Sequence, residues 1–194
     1  MRKAEMNRKT YETDIVLLLN IDGKGNTKVD TGIGFFDHML ILMCKHGFLD
    51  LDLKCIGDIY VDNHHTVEDV GITLGKAFKK AIGDKKGITR YATVFTPMDE
   101  SLSQISIDIS GRAYLHFDVT FEREYVGKLE TELIEEFFRA FTNQAEITLH
   151  IQLNYGTNTH HMVESIFKGF GRGIDQAVRI QDRIEGVLST KGSL

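Results

Sequence analysis

The feature that most constrains this chain is a five-residue motif that occurs twice. His64-His65-Thr66-Val67-Glu68 and His160-His161-Met162-Val163-Glu164 share the pattern His-His-x-Val-Glu and lie 96 residues apart (160 − 64 = 96). A spacing of this length indicates a duplicated domain rather than a solenoid of short repeats. We therefore expect two similar halves, each presenting the same three polar side chains.

Apolar periodicity places each motif at the start of an amphipathic helix. A helix turns by about 100° per residue, so positions 1 and 5 of the motif share an edge and position 2 lies about a quarter turn away. The apolar residues recur on the opposite side of both helices: Val67, Val70, Leu74, Ala77, Phe78 and Ala81, then Val163, Ile166, Phe167, Phe170, Ile174 and Ala177. Core packing is thereby separated from the polar edge.

Alternating apolar residues predict a strand before each motif helix. Leu49, Leu51, Leu53 and Cys55 alternate with polar residues, and Ile147, Leu149, Ile151 and Leu153 repeat this pattern at an offset of 98 (147 − 49 = 98). Each half is predicted to run strand, strand, helix, strand, helix. Such a unit makes a small sheet with two helices on one face, and two units would pack helix against helix, with the helices between two sheets, an α+β fold.

The remaining predicted elements follow from local signals. Strands are expected at Thr13 to Ile21 and Tyr114 to Val119, and helices at about Phe35 to His46, stopping at Gly47, and at Thr131 to Phe141. Residues 84–100, which include the only proline, form the predicted joint, and the repeats are expected to span residues 1–93 and 94–194. Residues 169–173 are glycine-rich but follow no strand, which favours helix packing over a phosphate loop.

The motif side chains predict a metal site. Imidazoles and carboxylates together suit borderline divalent metals such as Mn, Fe, Co, Ni or Zn. The offset of 98 also places His38 over Glu136, so the full set of candidate ligands is His38, His64, His65, Glu68, Glu136, His160, His161 and Glu164. Eight ligands suit two ions. Because adjacent histidines diverge on a helix, each ion is expected to take one histidine and the glutamate of one motif, the other histidine from the other repeat's motif, and a first-helix residue.

Composition narrows the possible partners. The net charge of −5 gives no overall basic field, which argues against nucleic acid. The longest apolar run, Met39 to Cys44, is too short to span a bilayer, and no signal peptide is visible at the N-terminus. Cys44 and Cys55 lack metal-type spacing and lie in apolar context, so we expect buried free thiols, as in a reducing cytoplasm.

Four segments together resemble the imidazoleglycerol-phosphate dehydratase family of histidine biosynthesis. They are Phe36-Asp37-His38-Met39-Leu40, Asp62-Asn63-His64-His65-Thr66-Val67-Glu68-Asp69, Glu136-Phe137-Phe138-Arg139-Ala140-Phe141 and His160-His161-Met162-Val163-Glu164-Ser165-Ile166-Phe167-Lys168. The resemblance extends over nearly the whole chain. It implies a ribosomal protein S5 domain 2-like fold, with the helices sandwiched between two four-stranded sheets. It also implies two Mn²⁺ ions per active site and a large octahedral homo-oligomer, a 24-mer in that family, with active sites between subunits.

The resemblance also implies roles for individual residues. One ion would be held by His38, His65, Glu68 and His160, the other by His64, Glu136, His161 and Glu164, although the family often has histidine where this chain has Glu136. The substrate phosphate would be bound by Arg90, Arg112, Lys168, Ser189, Thr190 and Lys191. Further substrate contacts would come from Glu12, His38, His64, Glu68 and His160.

The implied reaction is the dehydration of imidazole glycerol phosphate to imidazole acetol phosphate. Two metals on the ring nitrogens would stabilise an imidazolate that expels the hydroxyl group. Glu12 is the expected acid/base, with Glu68 and Glu164 completing the catalytic set. Two alternatives stay open: a dinuclear metal phosphoesterase, and a metal-stabilised structural or storage protein without turnover.

Overall fold

The chain folds into two α+β halves with the same order of elements, in a computed structural model that describes residues 1–194. The first half comprises β1 (Lys3–Lys9), β2 (Thr13–Asn20), β3 (Thr27–Asp30), α1 (Gly34–Gly47), β4 (Asp50–Gly57) and α2 (His64–Ile82). The second comprises β5 (Tyr91–Met98), β6 (Ser101–Asp108), β7 (Tyr114–Asp118), β8 (Tyr125–Val126), β9 (Leu129–Glu130), α3 (Glu132–Ala145), β10 (Thr148–Tyr155) and α4 (Thr159–Val178). Apart from the β8–β9 hairpin, the two halves match element for element.

The strands form two equivalent four-stranded sheets, in the orders β1-β2-β4-β3 and β5-β6-β10-β7. In each sheet the last strand pairs in parallel and the others pair antiparallel. The helices lie between the sheets, where α1 packs against α4 and α2 packs against α3. The predicted fold class, with helices between two four-stranded sheets, is confirmed.

The edge strands β1 and β5 were not predicted from the sequence. The prediction assigned two strands, rather than the three observed, ahead of the first helix of each half. Most of β1 is exposed or half-buried, so its sequence shows no apolar alternation. β5 contains Pro97 and was predicted to belong to the joint, but proline is tolerated on an edge strand because no partner needs its missing N–H. The second sheet therefore begins at Tyr91, inside the segment predicted to close the first repeat.

The ends of α1 and α3 show a second departure from prediction. Gly47 was expected to stop α1, but the residue in the left-handed conformation is Phe48, with φ of 51°, whose N–H bonds to the Cys44 carbonyl. Glu146 does the same for α3, with φ of 53°. Gly47 is needed elsewhere, because a Cβ there would lie 2.7 Å from the carbonyl oxygen of Gly171 on the facing helix.

Glycines set the distance between the paired helices. A Cβ at Gly75 would lie 2.5 Å from the carbonyl oxygen of Phe141 on α3, and one at Gly171 would overlap the carbonyl oxygen of Met43 on α1. These contacts are related by the duplication, since both pairs keep the repeat offsets (171 − 75 = 96; 141 − 43 = 98). The prediction that the glycine-rich segment of α4 serves helix packing is confirmed.

Substituting Gly171 with alanine should therefore destabilise the fold. The added methyl group must push α1 and α4 apart, and overpacking of this kind costs about 1–3 kcal/mol. Thermal unfolding monitored by circular dichroism measures the loss. Gly34→Ala is the matched control, because a Cβ at that helical glycine has no neighbour within 4 Å. Equal melting temperatures for the two variants would contradict the close packing of α1 on α4.

One hydrophobic core of 45 buried residues joins both halves. Aromatic rings bridge the helices, with Phe36 edge-on to Phe137 at 5.4 Å between ring centroids and Phe137 stacked on Phe167 at 5.4 Å. Cys44 and Cys55 are buried free thiols, as predicted, and burial raises the pKa of Cys55 to about 12. None of the helices combines the length and apolar character that a membrane span requires.

Candidate metal centre

The start of α4 places three of the predicted ligands. The Asn158 side chain accepts hydrogen bonds from the backbone N–H groups of His160, at 3.0 Å, and His161, at 3.4 Å, and so fixes where the helix begins. At the start of α2 the corresponding bond runs from the His64 N–H to Asp62, at 2.8 Å, while the Asn63 side chain instead reaches the β8–β9 hairpin. Asp62 rather than Asn63 therefore supplies the side-chain hydrogen bond at the start of α2.

His38, His160 and Glu164 form the one group of three donor side chains close enough to share a metal ion. Their ligand atoms all lie within 4.8 Å of one another, and His160 Nε2 is 3.1 Å from Glu164 Oε2. His38 comes from α1 and the other two from α4, so the packing of these helices creates the site. Two imidazoles and one carboxylate fit a borderline divalent metal and leave coordination positions open.

Glu164 is held as a buried carboxylate by neighbouring cations. Its side chain is only 9% exposed, and it is paired with Lys168 one turn further along α4. Burial by itself would raise the pKa of Glu164, but the hydrogen bond and charge of Lys168, with His160, outweigh burial and lower it. The carboxylate is therefore ionised at neutral pH, as a metal ligand must be.

The second histidine of each motif lies apart from this cluster and contacts carboxylates instead. Asp58 lies 3.0 Å from Nδ1 of His65, and Glu100 lies 2.7 Å from Nδ1 of His161. These hydrogen bonds are the main reason that the pKa of each imidazole is raised. Glu12 lies 3.6 Å from the other nitrogen, Nε2, of His65.

The corresponding residues of the first motif and α3 are Glu136, His64 and Glu68. Their ligand atoms do not all lie within 4.8 Å of one another, as those of His38, His160 and Glu164 do. Helices α2 and α3 pack together as α4 and α1 do, but Glu136 is turned toward Arg139, 3.5 Å away. The grouping also differs from the ligand partition that the resemblance implied. Glu164 lies with His38 and His160 in the structure, whereas the implied partition placed Glu164 with the other ion.

Glu12 sits in the turn between β1 and β2, which is fixed against α2. The Thr10 hydroxyl accepts hydrogen bonds from the N–H groups of Glu12, at 3.1 Å, and Thr13, at 3.0 Å. Buried Asp69, which follows the motif glutamate, then accepts from the Thr13 hydroxyl at 2.5 Å and from Arg8 at 2.7 Å. Glu12 is left half-exposed beside His65, in a position to reach a bound molecule.

Removing the Asp69 carboxylate should loosen this attachment. In Asp69→Ala the half-buried Arg8 loses its partner and Thr13 loses its acceptor, which should cost about 3 kcal/mol. Asp14→Ala, which breaks the exposed Lys9–Asp14 pair on the same hairpin, is the control and should cost under about 1 kcal/mol. Differential scanning calorimetry compares the two. A larger loss for Asp14→Ala would contradict the anchoring role of Asp69.

Most of the predicted phosphate ligands line a single open cavity of about 780 Å³. The predicted residues in its wall are Arg90, Arg112, Ser189, Thr190 and Lys191, and Arg183 adds another cation. Arg90 is bonded to both oxygens of Asp108, at 2.7 and 3.1 Å, and donates to the Leu188 carbonyl at 2.7 Å, which positions the chain end. Lys168 lies elsewhere, beside Glu164.

This cavity and the metal-type cluster lie at opposite ends of α4. His160 is in its first turn, while the Arg90 N–H donates to the carbonyl of Ala177 in its last turn, at 2.8 Å. Seventeen residues of helix separate His160 from Ala177, or about 25 Å at 1.5 Å per residue. One small substrate therefore cannot reach both features of the same chain.

Asp58, Asp69 and Glu100 were missed as site residues in the sequence. Glu100 had a detectable signal, because the β1–β2 and β5–β6 hairpins align at an offset of 88 (101 − 13 = 88), which places Glu100 over Glu12. Asp69 directly follows the first motif. Asp58 had no signal beyond a carboxylate in a polar loop.

Comparison with known proteins gives the same family throughout. The profile described as imidazoleglycerol-phosphate dehydratase matches residues 31–174. The curated imidazoleglycerol-phosphate dehydratase of Alkaliphilus metalliredigens is 63% identical over 193 residues, covering 100% of this chain and 99% of the relative. That of Clostridium novyi is 60% identical over 191 residues, covering 98% and 97%.

Solved structures agree with the sequence comparison. The crystal structure of imidazoleglycerol-phosphate dehydratase from Staphylococcus aureus has a TM-score of 0.84 at 40% identity, covering 92% of this chain and 99% of that one. The Pyrococcus furiosus enzyme, solved in complex with (S)-C348, has a TM-score of 0.84 at 33% identity, covering 97% and 100%. With matching length, fold and motifs, the chain belongs to the imidazoleglycerol-phosphate dehydratase family of hydro-lyases.

Proposed function

We propose that this hydro-lyase of histidine biosynthesis removes water from imidazole glycerol phosphate in a metal-dependent reaction. The observation that best supports metal dependence is the convergence of His38, His160 and Glu164 within 4.8 Å. Two imidazoles and a carboxylate make a donor set that suits Mn²⁺ among the borderline divalent ions. The two buried free thiols fit an enzyme of the reducing cytoplasm.

We assign two Mn²⁺ ions to each active site. One would be held by His38, His160 and Glu164, and the other, through the duplication, by Glu136, His64 and Glu68. Each trio is incomplete for a six-coordinate ion. His65 and His161 would each add a ligand to a trio of another copy of the chain, which fits their position away from the cluster in their own chain.

Active sites between copies also account for the phosphate residues. Because the cavity with Arg90 and Arg112 lies at the opposite end of α4 from the cluster, a complete site would take the cavity from a neighbouring chain. Arg112 is suited to this role because its planar fork can donate two parallel hydrogen bonds to phosphate, whereas the fork of Arg90 is bonded to Asp108. We propose a large octahedral homo-oligomer as the assembly that brings these parts together.

The chemistry requires loss of a poorly acidic side-chain proton. Bound divalent ions would act as Lewis acids toward the imidazole ring of the substrate. Glu12 would accept the proton from the C–H bond, and the hydroxyl group on the neighbouring carbon would take up a proton as it leaves, so that the net loss is one molecule of water. The resulting enol rearranges to the ketone of imidazole acetol phosphate. Glu12 is suited to this task because it is half-exposed on a turn that is fixed to α2.

Turnover of imidazole glycerol phosphate by the purified protein, before and after chelation, tests this function. We expect ketone formation that chelation abolishes and added Mn²⁺ restores, with no inorganic phosphate released. Phosphate release without ketone would favour a dinuclear phosphoesterase. A metal-dependent assembly with no turnover of this substrate would favour a structural or storage protein.

A further inference from the structure

The two histidines outside the cluster are each held by a carboxylate on the same ring nitrogen. Asp58 approaches Nδ1 of His65 at 3.0 and 3.3 Å, and Glu100 approaches Nδ1 of His161 at 2.7 Å. An ionised carboxylate can only accept a hydrogen bond, so each Nδ1 must be the donor. In a neutral imidazole the hydrogen then lies on Nδ1 and the lone pair on Nε2.

The carboxylate that accepts from the histidine Nδ1 comes from a different place in each half of the chain. Glu12 and Glu100 occupy the same place in the duplicated hairpin, at the offset of 88. In the first half Asp58 holds His65, and Glu12 faces the other nitrogen at 3.6 Å. In the second half the counterpart of Asp58 is Gly156, at the offset of 98, which has no side chain to offer. Glu100 therefore holds His161 itself, and the halves have diverged so that only one hairpin glutamate is free for a substrate.

We propose that Asp58 and Glu100 are positioning residues, which fix the tautomers of His65 and His161 so that each Nε2 is available to a metal ion. This inference rests on the proposed function, since it concerns how two of its metal ligands are prepared. When a metal-binding histidine donates its other ring N–H to a carboxylate, that carboxylate contributes about 10–100-fold to metal affinity.

Because of the hydrogen bonds that Glu100 makes, the isosteric substitution Glu100→Gln tests whether Glu100 sets the tautomer of His161. Its Oε1 accepts from the N–H groups of Asn158, at 2.8 Å, and Thr157, at 3.2 Å, and from the Ser101 hydroxyl at 3.0 Å, while Oε2 accepts from His161. In Glu100→Gln the amide oxygen must serve the three donors, so the NH₂ group faces His161 Nδ1. His161 is then forced into the opposite tautomer, with its hydrogen on Nε2.

Asp58 offers the matched contrast. Both of its carboxylate oxygens face His65 and neither has another hydrogen-bond partner in the chain. An asparagine at this position can turn its amide oxygen toward Nδ1 of His65 without breaking any other hydrogen bond. The same carboxylate-to-amide change should therefore be harmful at position 100 and tolerated at position 58.

Mn²⁺ affinity of the purified full chain, measured from the electron paramagnetic resonance signal of free Mn²⁺, tests the proposal. We expect affinity about 10–100-fold weaker for Glu100→Gln and Asp58→Ala, and within about threefold of the wild type for Asp58→Asn. Asp99→Ala controls for charge, because Asp99 is 3.9 Å from Nε2 of His161 and is not bonded to Nδ1. Circular dichroism confirms that each variant is folded.

The outcomes separate the two claims. Wild-type Mn²⁺ affinity in folded Glu100→Gln would overturn the positioning role, as would an equal loss in Asp58→Asn and Asp58→Ala. An equal loss in Asp99→Ala and Glu100→Gln would mean that charge rather than tautomer matters, which also overturns it. A wild-type protein that turns over substrate without binding Mn²⁺ would instead refute the proposed metal centre.

Discussion

Replacing Glu164 with glutamine should reduce turnover by about 10³-fold or more, because several kcal/mol of transition-state stabilisation would depend on the proposed metal. Glutamine keeps the size of the side chain but removes the negative charge of the carboxylate that lies in the cluster with His38 and His160. The same variant should lose Mn²⁺ from this position. Steady-state kinetics at saturating Mn²⁺, together with metal analysis of the gel-filtered protein, measures both effects.

The control for this variant is Glu135→Gln. Glu135 is an exposed helix carboxylate that pairs with Arg139 one turn away, as Glu164 pairs with Lys168, but it lies in no donor cluster. It should retain wild-type kinetics and metal content. Because Glu164→Gln leaves Lys168 without its partner, thermal unfolding must confirm that the variant is folded. Full activity and full metal content in folded Glu164→Gln would contradict the assignment of the cluster.

Replacing Glu12 with glutamine should give the second large effect and a different pattern. Loss of a general acid/base lowers kcat by about 10²–10⁴-fold, and Mn²⁺ content should not change because Glu12 is outside the trio. KM should change less than kcat. Rapid-quench measurement of a single turnover would place the loss in the chemical step.

Glu5→Gln on neighbouring β1 is the control, since that carboxylate is exposed and distant in sequence from the turn. It should behave as the wild type. If Glu12→Gln kept the wild-type kcat, another group would have to move the proton, and the divergence of the two hairpin glutamates would lose its explanation.

The interior of the fold was predictable from sequence, but two of the four edge strands were not. The apolar alternation that ends at Cys55 predicted β4, and its repeat predicted β10, because strands buried on one face must alternate. Strand β1 is mostly exposed, so its sequence shows no such pattern. Strand β5 buries the small side chains of Ala92, Val94 and Thr96, but Tyr91 and Phe95 on its other face are exposed, which hides the alternation. The left-handed residue Phe48 was equally hidden, because the glycine before it, Gly47, is required at the helix crossing instead.

The candidate site was also predictable only in part from the sequence. The repeated motif identified the ligand types, since residues at fixed helical spacing share an edge whatever the tertiary structure. Spacing could not group them, and the union of His38 with His160 and Glu164 depends on how α1 packs on α4. Asp58 and Glu100 come from a loop and a hairpin that fold back over the helix starts. The cluster and the cavity lie at opposite ends of α4, and the sequence could not show this because residues 90 and 112 are brought to the end of α4 only by the tertiary fold.

Complementation between two inactive variants tests the central claim, that a working site combines parts of different copies of the chain. Glu164→Gln damages the metal cluster and Arg112→Ala damages the phosphate cavity. The two variants would be co-expressed with different tags, and oligomers bearing both tags assayed. If the parts come from different chains, about a quarter of the sites should be intact at equal mixing, because each part is sound in half of the copies. Activity no higher than that of the separate variants would contradict the account.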